Sequence, residues 1–558
     1  MRRLLLGFAV VVLVALGPAV AAAQPAFDAY VESSRFPIRV HYPATVSDSD
    51  VAAALSLAES SWERQVEGMG FPKPLARDAD GNVIAGLWLY LDPETEGGYV
   101  QPRGDNPGTP YTDCTTAVVV GSMGQAAYQA FIVPHETNHA LEMALDCGES
   151  PFAYENTTVA VTTIMDPEDP LFTRYFLPAF QQNPHFGVDC TSWDRDTAYY
   201  HFGAGLFGVF LEERYGAADG RLLVRIWEAA RQDGTVTVAG SYPQMDVPNT
   251  PDLLAAMGTV LATKGTTLKD AFVEFARWRY FVGGNDDGQH FAHGAKWGGG
   301  EVALAASHAV ADLPLGPVQP TRSPADYGSL YVSLDLAGLE PDKAVALTFE
   351  GTTTVGWHVD AVRLRRGSAA EIETMALDPS QRGQLVVAGL AGYDRVVFVF
   401  SNLSNEQHDS NSPACDTTAT MSYRLAVASA AAAPTVQRVD PSRLEPGRAA
   451  YLWVFGSDLR EGAQVAFSGT GVAVDSVDFV DAGTLGVAVT TAAAVAAGPR
   501  DLTVTNPDGQ SVTLAAAVTL GAAATSAGGC AVATAGDGTL TLTALAALAL
   551  LLPRRRRR

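Results

Sequence analysis

The segment His135-Glu136-Thr137-Asn138-His139 carries two histidines four residues apart, within a stretch from Ala126 to Leu145 whose apolar pattern is helical. Residues i and i+4 lie on the same face of a helix, so both imidazoles can reach one metal ion. Glu136 lies beside them and can hold the water that such a metal activates. The segment therefore predicts a metal centre, which needs a third protein ligand nearby.

Pro134 directly precedes this motif. Proline inside a helix removes a hydrogen bond and clashes with the preceding turn. We therefore expect the helix either to kink at Pro134 or to begin later than the apolar pattern indicates. Farther on, Ser150-Pro151 is a favourable pair for an N-cap and first turn, and it predicts a second helix through about Thr163 with Glu155 in its second turn.

Four acids follow the motif closely enough to complete the centre: Glu142, Asp146, Glu149 and Glu155. Glu142 is on the same helix, but its side chain projects a turn farther than the histidines do. Asp146 and Glu149 lie in or beside the turn, where we expect solvent-exposed acids. Glu155 belongs to the second helix, which can pack across the first. A metzincin continuation is excluded, because its glycine position is Glu142 here and its third histidine position is Leu145.

The segment from His135 through Tyr154-Glu155-Asn156-Thr157-Thr158-Val159-Ala160 resembles secreted bacterial gluzincin-like zinc metallopeptidases of the MXAN type. Residues 207–216 and 271–278 match the same kind of protein, and the resemblance covers residues 36–310. It implies an α+β zincin-like domain in which His135, His139 and Glu155 bind Zn²⁺. It also implies that Glu136 is the general base for a metal-activated water.

Two departures from related families shape this expectation. Val159 stands where thermolysin-like proteins have an acid that orients a histidine, so another partner must hold that imidazole. The G-x-M-E-N signature of M1-type aminopeptidases is absent before His135, which favours an endopeptidase.

The tetrahedral oxyanion formed in peptide hydrolysis also needs a hydrogen-bond donor. Tyr200 and His201 begin a predicted helix at a suitable chain distance, with aromatic core packing as the alternative role.

Both ends of the chain have export patterns. Residues 1–23 combine Arg2 and Arg3 with an apolar run and small residues, as a signal peptide does. Residues 521–558 contain Cys530, an apolar run over 540–552 and a terminal arginine cluster, and they resemble the MYXO-CTERM sorting tail. That resemblance implies a bacterial protein at the cell surface or outer membrane, or secreted, with the tail contacting the cell envelope. A plain C-terminal transmembrane helix is the alternative.

The remaining sequence predicts two all-β domains after a zincin-like domain at 24–311. Short alternating strands, such as Leu330–Leu336 and Arg395–Phe400, indicate a β-sandwich over 312–427. A linker at 428–433 leads to a unit at 434–520 that resembles an immunoglobulin-like IPT/TIG domain. The segments that carry this resemblance include Val439-Asp440-Pro441, Glu445-Pro446-Gly447 and Val504-Thr505-Asn506-Pro507-Asp508-Gly509. It implies a spacer or interaction module.

Charge and cysteine content limit the partners and the compartment. The formal net charge of −24 argues against nucleic acid as a partner. Cys114, Cys147 and Cys190 fall in one region, and export permits a disulfide there, either Cys147–Cys190 or Cys114–Cys147.

These observations predict an exported zinc-dependent endopeptidase acting on proteins or peptides. The alternative is a non-catalytic cell-surface adhesion or structural protein with a zincin-like scaffold.

Overall fold

The computed structural model describes residues 27, 29–121, 126–192, 197–239, 242–341, 343–404, 415, 417–429, 433–507 and 510–521. The chain divides into two compact units between Ala432 and Ala433. This division coincides with the predicted linker at 428–433. The signal peptide predicted at 1–23 and the tail residues 522–558 lie outside the described residues. None of the described helices combines the length and the apolar composition that a membrane span requires.

The first unit opens with strands of a mixed sheet and two hairpins. These strands are β1 (Ala29–Glu32), β2 (Ile38–Tyr42), β3 (Leu75–Arg77), β4 (Val83–Ala85), β5 (Leu87–Leu91), β6 (Gly98–Asp105), β7 (Cys114–Val120), β8 (Val236–Ala239) and β9 (Tyr242–Met245).

The main sheet has the order β1-β2-β5-β7-β6, and β3-β4 and β8-β9 form separate hairpins. Strands β2, β5 and β7 run parallel, while the edge strands β1 and β6 are antiparallel to their neighbours. Apolar residues alternate along β2 and β5, so one face of the sheet is buried.

Helices cover that face and continue the first unit. They are α1 (Asp48–Ser61), α2 (Ala126–Glu142), α3 (Pro151–Met165), α4 (Leu177–Gln181), α5 (Tyr200–Gly203), α6 (Gly205–Tyr215), α7 (Arg221–Ala230), α8 (Leu253–Ala262) and α9 (Leu268–Trp278). A π-helical segment, Trp62–Met69, extends α1, and another, Phe172–Phe176, precedes α4. The buried faces of the helices and of the sheet share one apolar core.

Helix α2 runs through Pro134 and begins at Ala126, so the later start considered from the sequence is wrong. Gln65, on the π-helical segment, donates from Nε2 to the Pro134 carbonyl at 2.9 Å and accepts from Asn138 Nδ2 at 3.1 Å. A buried amide thus braces the helix around the proline. The predicted start of α3 is confirmed, because the Ser150 hydroxyl accepts the Ala153 N–H.

The predicted β-sandwich of the first unit is present. Its strands are β10 (Ala306–Ala309), β11 (Leu315–Val318), β12 (Ser329–Asp335), β13 (Lys343–Gly351), β14 (Trp357–Leu364), β15 (Glu371–Thr374), β16 (Arg382–Val387), β17 (Arg395–Asn402) and β18 (Met421–Ser429). They form the sheets β10-β12-β17-β14-β15 and β11-β18-β13-β16 around their own core. The first of these sheets begins at Ala306, ahead of the expected boundary at 312.

Polar and covalent links join this sandwich to the helical region. The Arg277 guanidinium of α9 lies 2.7 Å from the buried Asp360 carboxylate of β14. A disulfide connects Cys190 to Cys415. The two domains expected at 24–311 and 312–427 therefore belong to one compact unit.

The second unit is a two-sheet β structure, as the sequence predicts for 434–520. Its strands are β19 (Thr435–Asp440), β20 (Arg443–Leu444), β21 (Ala449–Ser457), β22 (Gln464–Phe467), β23 (Val472–Asp481), β24 (Thr484–Thr491), β25 (Gly498–Thr505) and β26 (Ser511–Leu520). The sheets β19-β21-β24-β23 and β20-β26-β25-β22 enclose an apolar core. The whole chain is thus a multidomain, β-rich protein with an α/β N-terminal region.

Candidate metal centre

Helices α2 and α3 bring together His135, His139 and Glu155. One potential ligand atom from each residue lies within 4.8 Å of the others. The two Nε2 atoms are 3.1 Å apart, and Glu155 Oε2 lies 3.2 Å from His135 Nε2 and 3.6 Å from His139 Nε2. Across the described part of the chain, no other three metal-binding side chains come together in this way.

The three side chains are almost completely enclosed. His135 and Glu155 are 0% exposed and His139 is 2% exposed. Despite the short contact with His135, neither carboxylate oxygen of Glu155 accepts a well-directed hydrogen bond from a described residue. A buried carboxylate without hydrogen bonds is costly, and a cation bound between the three side chains would remove that cost.

The electrostatics of the cluster also favour a positive charge. Burial lowers the pKa of His135 to about 4, which keeps its imidazole neutral. Burial also opposes protonation of His139, but the charge of Glu155 and the contact with Glu142 outweigh it and raise the pKa of His139. Burial would raise the pKa of Glu155, yet the adjacent imidazoles hold it below its ordinary value. A positive charge beside the buried carboxylates of Glu142 and Glu155 stabilises them, and a divalent cation can supply this charge in place of a proton.

Glu142 supplies the histidine partner that the sequence left unidentified. Its Oε2 lies 3.1 Å from His139 Nδ1 and accepts the Thr158 hydroxyl at 2.9 Å. A proton on Nδ1 shared with this carboxylate leaves the Nε2 lone pair facing Glu155. The sequence presents Glu142 as a possible metal ligand, and its spacing of three residues from His139 is the signal that indicates the orienting role.

Further contacts fix Glu142 in turn. The Thr157 hydroxyl lies 2.6 Å from Glu142 Oε1, and Trp227 Nε1 donates to the Thr157 oxygen at 3.0 Å. Burial raises the pKa of Glu142 to about 6, although His139 and the two threonines counteract it. A continuous chain of contacts thus runs from the core indole of α7 to the imidazole of His139.

Glu136 points away from solvent beside the same cluster. It is 1% exposed, and its Oε1 accepts no hydrogen bond from a described residue. Burial raises the pKa of Glu136 to about 8, with the charge of His139 opposing and that of Glu155 adding to the shift. Gly98, at the start of edge strand β6, lies directly against this side chain.

Tyr200 and His201 have different environments, although they are neighbours on α5. The Tyr200 hydroxyl donates to the carbonyls of Phe186 and Gly187, at 2.9 and 3.0 Å. The hydroxyl proton of Tyr200 is thus shared with carbonyls of the core, which argues against the oxyanion role predicted for this residue. His201 is also fully buried, and burial lowers its pKa to about 4. Its ring contacts Phe202, with centroids 4.5 Å apart, and the Phe202 ring lies 6.3 Å from that of His135.

Asp146 and Glu149 are buried, contrary to the exposed positions expected for them. Asp146 is 0% exposed and accepts hydrogen bonds from the Thr112 hydroxyl and the Gly148 N–H, both at 2.9 Å. Glu149 is 7% exposed and accepts from Asn249 Nδ2 at 3.2 Å. These acids hold the turn between α2 and α3 rather than complete the metal centre.

The same turn carries a disulfide. Cys114 at the start of β7 pairs with Cys147, which confirms one of the two expected pairings. The other expected pairing, Cys147–Cys190, is wrong, because Cys190 is bonded to Cys415. The covalent link ties the end of α2 to the main sheet and so restricts how far the two ligand-bearing helices can separate.

Comparisons with known proteins leave the family of this chain open. No protein-family model and no curated protein sequence matches it. One structural match is a crystal structure of a gamma-CGTase from an alkalophilic Bacillus clarkii, with 21% identity and a TM-score of 0.13. The match covers 25% of this chain and 17% of the other. A similarity of that size carries no argument about fold or function.

Proposed function

We propose that this protein is an exported zinc-dependent metallopeptidase that hydrolyses internal peptide bonds. The observation that carries the proposal is the convergence of His135, His139 and Glu155 in a buried cluster, with Glu136 beside it. The resemblance of residues 36–310 to gluzincin-like proteins supports the same conclusion, and with it a zincin-like fold for the α/β region.

The donor set fits zinc. Two imidazole nitrogens and one carboxylate oxygen are the three protein ligands of many catalytic zinc centres, which keep a further position for water. Bound zinc would polarise a substrate carbonyl and lower the pKa of that water. Glu142 keeps the Nε2 atom of His139 directed at the ligand cluster.

Glu136 and His201 have the remaining roles in the proposal. A cation held by the three ligands would favour the ionised form of Glu136, whose Oε1 has no hydrogen-bond donor among the described residues and could then accept a proton from the attacking water. The same carboxyl group can then donate that proton to the leaving amine. His201, buried on α5 next to Phe202, is the candidate donor to the oxyanion, since the Tyr200 hydroxyl is hydrogen-bonded to main-chain carbonyls.

A second candidate function is a non-catalytic adhesion or structural protein in which the metal only stabilises the fold. The enclosure of the centre favours it, because His135, Glu136 and Glu155 are each at most 1% exposed. Structural metal sites are closed, whereas catalytic sites keep an open position.

Glu136→Gln separates these functions. The substitution keeps side-chain size and the three metal ligands but removes the proton acceptor. For a peptidase, the variant retains the zinc content of the wild type and loses at least about 100-fold in cleavage of unfolded casein. Equal cleavage by both proteins would overturn the mechanism. Full zinc content without cleavage by the wild type would support the structural alternative.

Export is the second part of the proposal. Two disulfides, Cys114–Cys147 and Cys190–Cys415, are compatible with an oxidising compartment. The sequence patterns of residues 1–23 and 521–558 suggest the route and an envelope attachment. Thiol labelling of the protein from its native cells tests this, since labelling of Cys114 and Cys147 without prior reduction would contradict export.

A further inference from the structure

The edge strand β6 approaches helix α2 most closely at Gly98. A β-carbon at position 98 would lie 2.6 Å from Glu136 Cγ and 2.8 Å from Glu136 Oε1. It would also lie 2.8 Å from Cγ2 of Ile132, one turn earlier on α2. Such distances are shorter than any ordinary carbon contact, so a side chain at 98 and the present position of Glu136 exclude each other.

The backbone conformation at position 98 does not require a glycine. Gly98 pairs with Val120 in the antiparallel register of β6 and β7, and its φ is outside the left-handed region. The preceding Gly97 does have a left-handed φ of 94°. Glycine inside a strand lowers stability and often marks a close approach of the backbone to another group. Here that group is the Glu136 carboxylate.

Glu136 also has little freedom to move aside. The side chain is 1% exposed, with the main chain of β6 on one side and its own helix on the other. Glu136 directly follows the proposed ligand His135 on α2, so its side chain starts from the backbone that carries the ligand cluster. A displacement of its Cγ by a fraction of an ångström would carry the carboxylate away from its present position.

We propose that Gly98 is a positioning residue for Glu136: the missing side chain leaves the space that Glu136 occupies, and the main chain of β6 holds the carboxylate beside the metal centre. The steric part of this inference rests on the contact alone. Its consequence for turnover rests on the proposed peptidase function.

A stability cycle tests the steric part without any substrate. Gly98→Ala is introduced into the wild type and into a Glu136→Ala background, and melting temperatures are measured by calorimetry. We expect a fall of about 2–6 °C in the wild type, as for an overpacked core, and less than half of that in the Glu136→Ala background. The residual fall reflects Ile132. Equal falls in both backgrounds would overturn the proposal.

Turnover and metal content test the functional part. Gly98→Ala should keep the zinc content of the wild type and lower kcat by about 10- to 100-fold with KM little changed, because the base is misplaced. Gly316→Ala is the matched control, since position 316 is in a strand and no atom lies within 4 Å of an added β-carbon. Wild-type kcat in zinc-loaded Gly98→Ala would contradict the positioning role. If the wild type itself has no activity, the peptidase proposal fails, and the melting cycle still decides whether Gly98 positions Glu136.

Discussion

Nδ1 of His139 lies 3.1 Å from Oε2 of Glu142, one helical turn farther along α2. The helix that carries two ligands of the candidate centre thus also carries the acid that orients one of them. Thr158, on the helix of the third ligand, donates to the same carboxylate oxygen. Helices α2 and α3 are therefore joined by a polar contact just outside the ligand cluster.

Replacement of that acid should weaken metal binding. Glu142→Gln keeps the shape of the side chain but removes the charge that fixes the proton on His139 Nδ1. We expect zinc affinity to fall about 10- to 100-fold, as for other carboxylates that orient a ligating histidine, measured by competition with a chelating dye. Glu212→Gln is the control, because Glu212 of α6 is equally buried and accepts a hydrogen bond from the Leu223 N–H of α7. A similar loss in both variants would indicate general destabilisation.

Loss of a ligand should uncouple stability from zinc. Metal that binds only the folded state raises the melting temperature as its free concentration rises. The melting temperature of the chelator-treated wild type should rise as zinc is added, because the bound zinc gives the buried Glu155 carboxylate a cationic partner. Glu155→Gln should respond far less over the same zinc titration. A full response in Glu155→Gln would remove this residue from the metal centre.

Substitution of Tyr200 should lower mainly the stability, whereas substitution of His201 should lower mainly the turnover. Tyr200→Phe removes the hydroxyl that donates to the carbonyls of Phe186 and Gly187, of which only Gly187 keeps another donor in the described part of the chain, the Cys190 N–H; we therefore expect a loss of about 1–3 kcal/mol in the free energy of unfolding. The kcat of the zinc-loaded variant should stay within about twofold of the wild type. His201→Gln should lower kcat by about 10²- to 10³-fold if this ring stabilises the oxyanion. A larger kcat effect from Tyr200→Phe than from His201→Gln would reverse the assignment.

Glu149 should make the fold less stable as pH rises. Burial, together with the charge of Asp146, raises its pKa from 4.5 to about 8. Between these two values the unfolded chain releases a proton that the folded chain retains, so stability present at low pH is lost as pH rises through about 8. Glu149→Gln removes this loss. The difference in the free energy of unfolding between the wild type and Glu149→Gln should therefore change by a few kcal/mol between pH 5 and pH 8.

Urea unfolding of both proteins at the two pH values measures that change. Glu67→Gln, at an exposed position of the first unit, serves as the control and should follow the wild type. Parallel pH dependence of the wild type and Glu149→Gln would show that the buried acid is not protonated in the folded state.

Local signals in the sequence are sufficient to predict much of the ligand cluster. The spacing of His135 and His139 follows from helical periodicity, and Ser150 marks the start of α3 because its cap uses only neighbouring backbone groups. The strands of the sandwich are likewise visible as alternating apolar residues. Strand ends differed by a few residues, since pairing partners rather than propensity decide where a strand stops.

Long-range packing decided the remaining features. The partners of the Tyr200 hydroxyl are carbonyls of an irregular segment, which no periodic pattern identifies. The burial of Glu149 likewise depends on Asn249, a hundred positions farther along the chain. The contact between Gly98 and Glu136 also requires the sheet and helix to be assembled before it can be recognised.

The bond between Cys190 and Cys415 closes a covalent ring across a sequence separation of 225 residues. A single cut in the main chain anywhere inside that ring leaves both fragments attached to each other. Such a nick would appear on a reducing gel but not on a non-reducing one. In surroundings where peptidases act on one another, the ring allows the protein to be cut between its helical region and its sandwich and still remain one molecule.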